Sequence, residues 1–348
     1  MRILLIGGNG FIGRFLIAAL QLHKHNVAVF HRGTLHRGTQ TLPAGVDEIR
    51  GDRNQLHAST QEFKRFAPDV VIDLVISSAP QAEELINIFR GVTQRVVMLS
   101  SIDVYRAVGI THGTEEGPLQ IVPLTEDSEL RRNLHPYPPE NLQALRKIFS
   151  WATDDYDKIP AERIVMSDPQ LPGTILRLPM IYGPGDPLHR LYPVVKRIAD
   201  GRRHILLAQT LAAWRSPRGY VENVAAAIAL AATDDRASRR IYNVCEEPPF
   251  SELEWAREIA NEMHWPGAFV VLPVERTPQH LLRPGNAAQH WSASSARIRR
   301  ELGYVEPVAI EEAIRRTISW ELGNPPLFPF LAQFDYAAED AALSGDQT

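Results

Sequence analysis

Short apolar runs rich in β-branched residues alternate with helix-period patterns through the first half of the chain. The runs Ile3–Ile6, Val27–Phe30, Val46–Arg50, Val70–Leu74 and Arg95–Leu99 read as strands. Between them, Phe11–Lys24, Gln55–Phe66 and Gln81–Arg90 carry apolar residues three and four apart, the spacing of helices with one buried face. Strands that are apolar on both sides fit a parallel sheet covered on both faces. Such a βαβ series crosses over right-handed and predicts a doubly wound α/β sheet.

The rhythm breaks over residues 106–140, where Gly, Pro, Glu and Arg dominate and a long loop, functional or disordered, is expected. Helices follow at Asn141–Trp151 and Lys158–Met166, then a strand at Thr174–Leu178. Beyond Pro179 the pattern is mixed. Leu191–Ala199, Glu222–Ala232, Glu252–Met263 and Ile310–Leu322 read as helices, and His204–Leu207 and Arg240–Val244 as short strands. The organisation expected is a Rossmann domain over 1–178, with elements returning to it around 220–245. A smaller C-terminal α/β substrate lobe spans 179–325, and 326–348 form a C-terminal tail, expected to be loosely held over Asp335–Thr348.

Composition adds only boundaries. The chain has 348 residues, a net charge of −4 and a single cysteine, Cys245. There is no overall basic field for nucleic acid, no internal disulfide and no thiol cluster for structural zinc. No apolar run approaches the roughly 20 residues that span a bilayer, and Ile3–Ile6 is too short for a signal-peptide core. A cytoplasmic protein without membrane contact is expected. His23 and His25 with Lys24 close the first helix, where positive groups suit the dipole, and no spacing resembles a metal site.

The chemistry begins at Gly7-Gly-Asn-Gly-Phe-Ile-Gly13, which follows the first strand and opens the first helix. Glycines serve where the chain turns with positive φ and where backbone must approach a pyrophosphate. The helix N-terminus adds free N–H groups and partial positive charge. Gly7, Gly10, Phe11, Ile12 and Gly13 are therefore expected to cradle a dinucleotide. An NAD site usually ends its second strand with a carboxylate for the ribose 2′-OH. Here that strand ends Phe30-His31-Arg32-Gly33, with Arg37 nearby. Arg32, beside His31, can neutralise a 2′-phosphate, so NADP is read, with NAD possible.

The chain resembles the extended short-chain dehydrogenase/reductase superfamily of nucleotide-sugar epimerases, dehydratases and reductases, over about residues 1 to 325. Gly51-Asp52-Arg53 is similar to the segment after the family's third strand, which implies that Asp52 lies against the adenine and brings in Arg53 as a cofactor contact. Ser100-Ser-Ile-Asp-Val-Tyr105 resembles the end of the central strand. Arg177-Leu-Pro-Met-Ile-Tyr-Gly-Pro184 resembles the stretch beside the nicotinamide, which brings in Pro179. Tyr220–Ala225 and Glu301–Tyr304 match the hinge and a C-terminal helix ending. By this resemblance Ser101 bonds the substrate oxygen and Asp103 stands where dehydratases carry an acidic group. Tyr105, Arg177, Tyr182, Arg215 and Arg218 are the expected substrate contacts. The family commonly forms homodimers through two helices.

One departure matters for mechanism. The family base is a tyrosine four residues before a lysine, and Asp154-Asp-Tyr-Asp-Lys-Ile-Pro-Ala-Glu162 keeps neither register intact. Taking Tyr156 as the base puts Pro160 at the lysine position. Taking Lys158 as the lysine, with Glu162 four residues on, puts Asp154 at the tyrosine position. In regular helix Tyr156 and Lys158 point about 200° apart, unless the helix begins near Pro160. The preferred register has Lys158 at the nicotinamide ribose, leaving Asp154, Asp103, Tyr156, His135 and Tyr137 as proton-transfer candidates. The expected function is an NAD(P)-dependent oxidoreductase, epimerase or dehydratase acting on a small sugar-like or nucleotide-linked alcohol. The alternatives are a dinucleotide-binding regulator, an RNA binder, which the mild negative charge opposes, and a domain holding its dinucleotide as a structural ligand.

Overall fold

The computed structural model describes residues 1–33, 42–137, 139–149, 154–326 and 334–345. The first half runs β1 (Arg2–Ile6), α1 (Phe11–Leu22), β2 (Asn26–His31), β3 (Val46–Arg50), α2 (Thr60–Phe66), β4 (Val70–Asp73), α3 (Ala79–Phe89), β5 (Arg95–Ser101) and α4 (Arg106–His112). Then come α5 (Pro139–Ile148), α6 (Lys158–Ser167), β6 (Gly173–Leu178), β7 (Met180–Tyr182), α7 (Tyr192–Ala199), β8 (His204–Ala208), α8 (Gln209–Ala213), β9 (Arg218–Tyr220), α9 (Val221–Thr233) and β10 (Arg240–Asn243). The chain closes with α10 (Glu252–Glu262), β11 (Ala268–Leu272), α11 (Ala296–Leu302), α12 (Ile310–Gly323) and α13 (Tyr336–Ser344).

Seven strands form one sheet in the order β10-β6-β5-β4-β1-β2-β3, and every pairing is parallel. This is the doubly wound Rossmann arrangement that the alternating pattern predicts. Successive residues of β1 serve opposite layers: Ile3 and Leu5 pack with α1 and α9, Leu4 and Ile6 with α2, α3 and α6. That is why the strands are apolar without alternation. A third apolar cluster, with Ile102, Val104, Tyr105, Trp214 and Trp291, lies beyond the C-terminal end of β5. Two small parallel pairs, β7–β9 and β8–β11, complete the strands. Among the described residues no helix is long and apolar enough to cross a membrane.

The differences from the sequence reading are local. Gln55–Phe66 is not one helix, because Gln55 leaves helical geometry (φ −136°, ψ 43°) and a 3-10 turn over Arg53–Ser59 precedes α2. The 106–140 stretch is not wholly loop, since it opens with α4, which ends at Gly113 in the left-handed conformation. Trp151 and Arg37 lie outside the described residues. The loosely held tail is corrected most clearly. Residues 336–344 form α13, and Glu339 on it is fully buried in an ion pair with Arg197.

Candidate active site and dinucleotide groove

The glycine loop has the geometry its sequence demands. Gly7 has φ +83°, and a Cβ there would meet the Val75 side chain at 2.6 Å. A Cβ on Gly13 would stand 2.0 Å from the Gly8 carbonyl oxygen, so only glycine lets α1 pack this closely on the loop. Gly10 is the N-cap of α1 and offers no side chain, which leaves the first-turn N–H groups to an external anion. A groove of about 320 Å³ opens here. Gly7, Gly10, Phe11, Ile12, Gly13, His31, Arg32, Asp52 and Arg53 all line it, so the structure brings nine of the expected cofactor residues together. Leu74, Val75, Phe149 and Pro187 close its sides. The cradle fits a dinucleotide diphosphate.

The groove residues differ in what they have to offer. His31 is buried, accepts from Gly33 N at 3.0 Å through Nδ1 and faces Glu48 at 3.0 Å through Nε2. Burial lowers its pKa, so the ring is neutral at physiological pH. Asp52 caps the following turn, accepting from Asn54 N at 2.9 Å. Arg53 shapes the wall but has no free charge, because Asp73, Glu84 and the Gln81 carbonyl hold its guanidinium. Arg32 is exposed at the groove rim. Pro179 is buried in the break between β6 and β7 and does not line the groove.

At the end of β5, Ser101 caps a short turn, and its Oγ accepts from Asp103 N at 3.2 Å. Asp103 is only 3% exposed. Its Oδ2 accepts from the Tyr156 hydroxyl at 2.7 Å and from the Tyr137 hydroxyl at 3.0 Å. Among the described residues its Oδ1 has no hydrogen-bond partner. Arg131 braces the cluster through the Asp103 carbonyl and the Asp157 carboxylate. Burial and the Asp103 charge push both phenols well above their ordinary pKa. They are hydrogen-bond donors at any physiological pH.

Helix α6 begins at Lys158 with Asp157 as N-cap, so Tyr156 lies ahead of the helix. The 200° separation of regular helix therefore does not apply, and Pro160 sits harmlessly in the first turn. Lys158 is buried, and its Nζ donates to the carbonyls of Ile76 and Leu99. Desolvation lowers its pKa to about 8, against the pull of Asp103, Asp73 and Glu162. Two proton-transfer candidates drop out. The Asp154 side chain is 96% exposed and paired with Arg146, and His135 is exposed.

The expected substrate contacts have other partners. Arg177 is 2% exposed and gives Nε and Nη2 to Glu162 at 3.0 and 2.7 Å. Its Nη1 reaches the Tyr105 hydroxyl and the Glu126 carbonyl, and Tyr105 donates to Asn243 at 2.6 Å. This is a buried strut joining the start of α4, β6, α6 and β10. Tyr182 is fully buried and donates to Glu246. Arg215 is paired with Glu254, and Arg218 with Glu252.

The sequence reading missed Arg283. Its guanidinium lies 3.3 Å from the Trp214 ring centre and 4.9 Å from that of Trp291. Burial lowers its pKa to about 10, against the pull of Glu252, a carboxylate that is itself paired with Arg218. Rings link it to the Asp103 cluster: Trp291 to His112 at 5.7 Å, His112 to Tyr137 at 5.5 Å. The only signal in the sequence was a basic residue before the turn pair Pro284-Gly285. Among the described residues no cluster of metal-ligating side chains forms.

Residues 3–245 match the model of the NAD dependent epimerase/dehydratase family. A 2′-dehydrokanamycin reductase of Streptomyces kanamyceticus is 33% identical over 126 residues, 36% of this chain and 32% of that protein. The chain spans about a third to a half of the length of the curated relatives it matches. Among solved structures, a dTDP-glucose 4,6-dehydratase from Bacillus anthracis with NAD is similar at a TM-score of 0.65. It is 16% identical, and the match covers 93% of this chain and 97% of the other. The UDP-glucose 4-epimerase of Thermotoga maritima with UDP-glucose reaches 0.64 at 16% identity, covering 93% and 99%.

Proposed function

The chain belongs to the NAD dependent epimerase/dehydratase family, and from that premise we propose that it moves a hydride between a nicotinamide dinucleotide and a sugar-like or nucleotide-linked alcohol. Reduction, epimerisation and dehydration can all begin with this transfer. The dinucleotide, when bound, supplies or accepts the hydride. The chain's residues do the rest. The Gly7–Gly13 loop and the first turn of α1 hold the diphosphate. Arg32, in place of a carboxylate, favours a 2′-phosphate and hence NADP.

The observation that carries the reading is the pairing of the Tyr156 hydroxyl with Asp103, whose charge also acts on the buried Lys158. A proton leaving a substrate hydroxyl passes to the Tyr156 oxygen as Tyr156 hands its own proton to Oδ2 of Asp103. The reverse path delivers a proton to a ketone oxygen. No phenolate need persist beside the carboxylate, which suits the raised phenol pKa. In this reading Ser101 bonds the substrate oxygen, and the Lys158 charge supports Asp103. Arg283 feels the Glu252 carboxylate, which Arg218 already holds, and is suited to an anionic substituent such as a phosphate. A cytoplasmic homodimer completes the proposal, and α3 and α6, packed together on one sheet face, are the helices available for it.

The test uses the purified protein. NADPH should bind more tightly than NADH, and one of a panel of sugar-like ketones should oxidise it. Tyr156→Phe should retain dinucleotide binding and lose that oxidation. Dinucleotide binding with no hydride transfer to any ketone, by wild type or variant, would instead favour a structural ligand.

A further inference from the structure

Helix α13 is fastened by buried charge. Glu339 on it is fully buried, and its carboxylate accepts from Nε and Nη2 of the buried Arg197. The same carboxylate lies 3.1 Å from Nε2 of His280, and Arg276 donates to the Ala342 carbonyl at 3.3 Å. A buried carboxylate is tolerated only where its partners are held in place, so this docking is specific.

His280 and Arg276 belong to the 274–285 segment, which consists of two short 3-10 turns and the residues beside them. Its far end is tied to α4, where Asn286 N donates to the Thr111 carbonyl at 2.9 Å. Trp291 Nε1 donates to the Thr111 hydroxyl at 2.7 Å. Arg283 lies between the two fastenings. A guanidinium on a side chain with four rotatable bonds keeps one place only if the backbone that carries it is fixed.

We infer that α13 is a latch that positions Arg283, with Glu339 as the positioning residue. This rests on the reading of Arg283 as the contact for an anionic substrate group. Releasing Glu339 frees the 274–281 side of the segment while Thr111 still holds the other. Arg283 then samples more positions, and the anion binds less tightly. The sheet and the dinucleotide groove are unaffected.

The experiment uses the full chain with its dinucleotide groove filled by NADP, and inorganic pyrophosphate as the probe in calorimetry. Glu339→Gln should weaken pyrophosphate by about tenfold, as Arg283→Ala should, and the double variant should be no worse than either. Amide exchange within 274–285 should speed up by about tenfold or more in Glu339→Gln, with the β1–β6 strands unchanged. Asp340→Asn, which removes only the half-exposed pair with Arg202, should alter neither readout. If Glu339→Gln does not fold, His280→Ala, which spares the Arg197–Glu339 pair, carries the same expectations. Loss of pyrophosphate with Arg283→Ala but not with Glu339→Gln overturns the latch alone. Unchanged binding in Arg283→Ala overturns the anion reading, and the latch falls with its premise.

Discussion

The Tyr156 hydroxyl donates to Oδ2 of Asp103 at 2.7 Å, which fixes the phenol as the partner that carries the proton. Tyr156→Phe keeps the ring in its place and removes that proton. Turnover should fall by about 10²-fold or more, the usual worth of a positioned acid or base. Asp154→Asn should leave it within about twofold, because the Asp154 side chain is in water. Steady-state dinucleotide oxidation by the two variants separates the registers left open by the sequence.

Lys158 is held to about 8 by desolvation. Its ammonium is therefore lost as pH rises through 8, and activity that depends on the charge should decline on the alkaline side with an apparent pKa near that value. Lys158→Arg cannot lose its charge in this range. Whatever rate it retains should show no such decline in a kcat/KM profile.

Arg32 stands at the groove rim where a ribose-binding carboxylate is missing. Arg32→Ala should weaken NADPH by about 10- to 100-fold, the range of one charge-assisted contact. NADH should change by less than about twofold. Paired titrations of protein fluorescence with the two cofactors measure the difference directly.

Arg177 and Glu162 form a buried pair, and removing one partner leaves the other charge without compensation. Arg177→Met should cost about 3–5 kcal/mol of stability by urea unfolding. Arg177→Met with Glu162→Leu should cost less than the single change. A substrate-binding arginine would show the opposite pattern, with stability kept and substrate KM raised.

Burial pushes the Glu246 carboxyl up to about 7 from an ordinary 4.5. Between those values the folded state binds more protons than the unfolded chain, so this group's contribution to stability falls as pH rises through the window. Glu246→Gln keeps an acceptor for Tyr220 N and the Tyr182 hydroxyl. The variant should match the wild type near pH 4.5 and exceed it at pH 8, by no more than about 3 kcal/mol. Denaturant unfolding at the two pH values reads the sign.

The first 22 residues were legible because their signals are local. An apolar run, a glycine loop and a helical period say strand, turn and helix without reference to anything distant. Lys158 was singled out differently, through the family resemblance, with Glu162 four residues further along. Arg177 was misassigned because its partners lie 15 residues away at Glu162 and 72 at Tyr105. No local pattern distinguishes a buried strut from a substrate contact. Arg283 escaped for a similar reason, since its two indoles come from positions 214 and 291. The α13 residues are small and acidic, which reads as a solvated tail. Only the fold shows that Arg197 and His280 meet Glu339.

The place of β10 in the sheet bears on how the protein is made. β10 pairs with β6, and Asn243 on β10 receives the Tyr105 hydroxyl that Arg177 also holds. These contacts close only after residue 243 has emerged from the ribosome, by which time β1 to β5 have long been available to pair. Parallel strands joined by distant crossovers form slowly, and a nascent sheet lacking its last strand exposes an unpaired edge at β6. Synthesis therefore passes through a stage at which this edge is open to other chains, and that interval is when the protein is most exposed to aggregation.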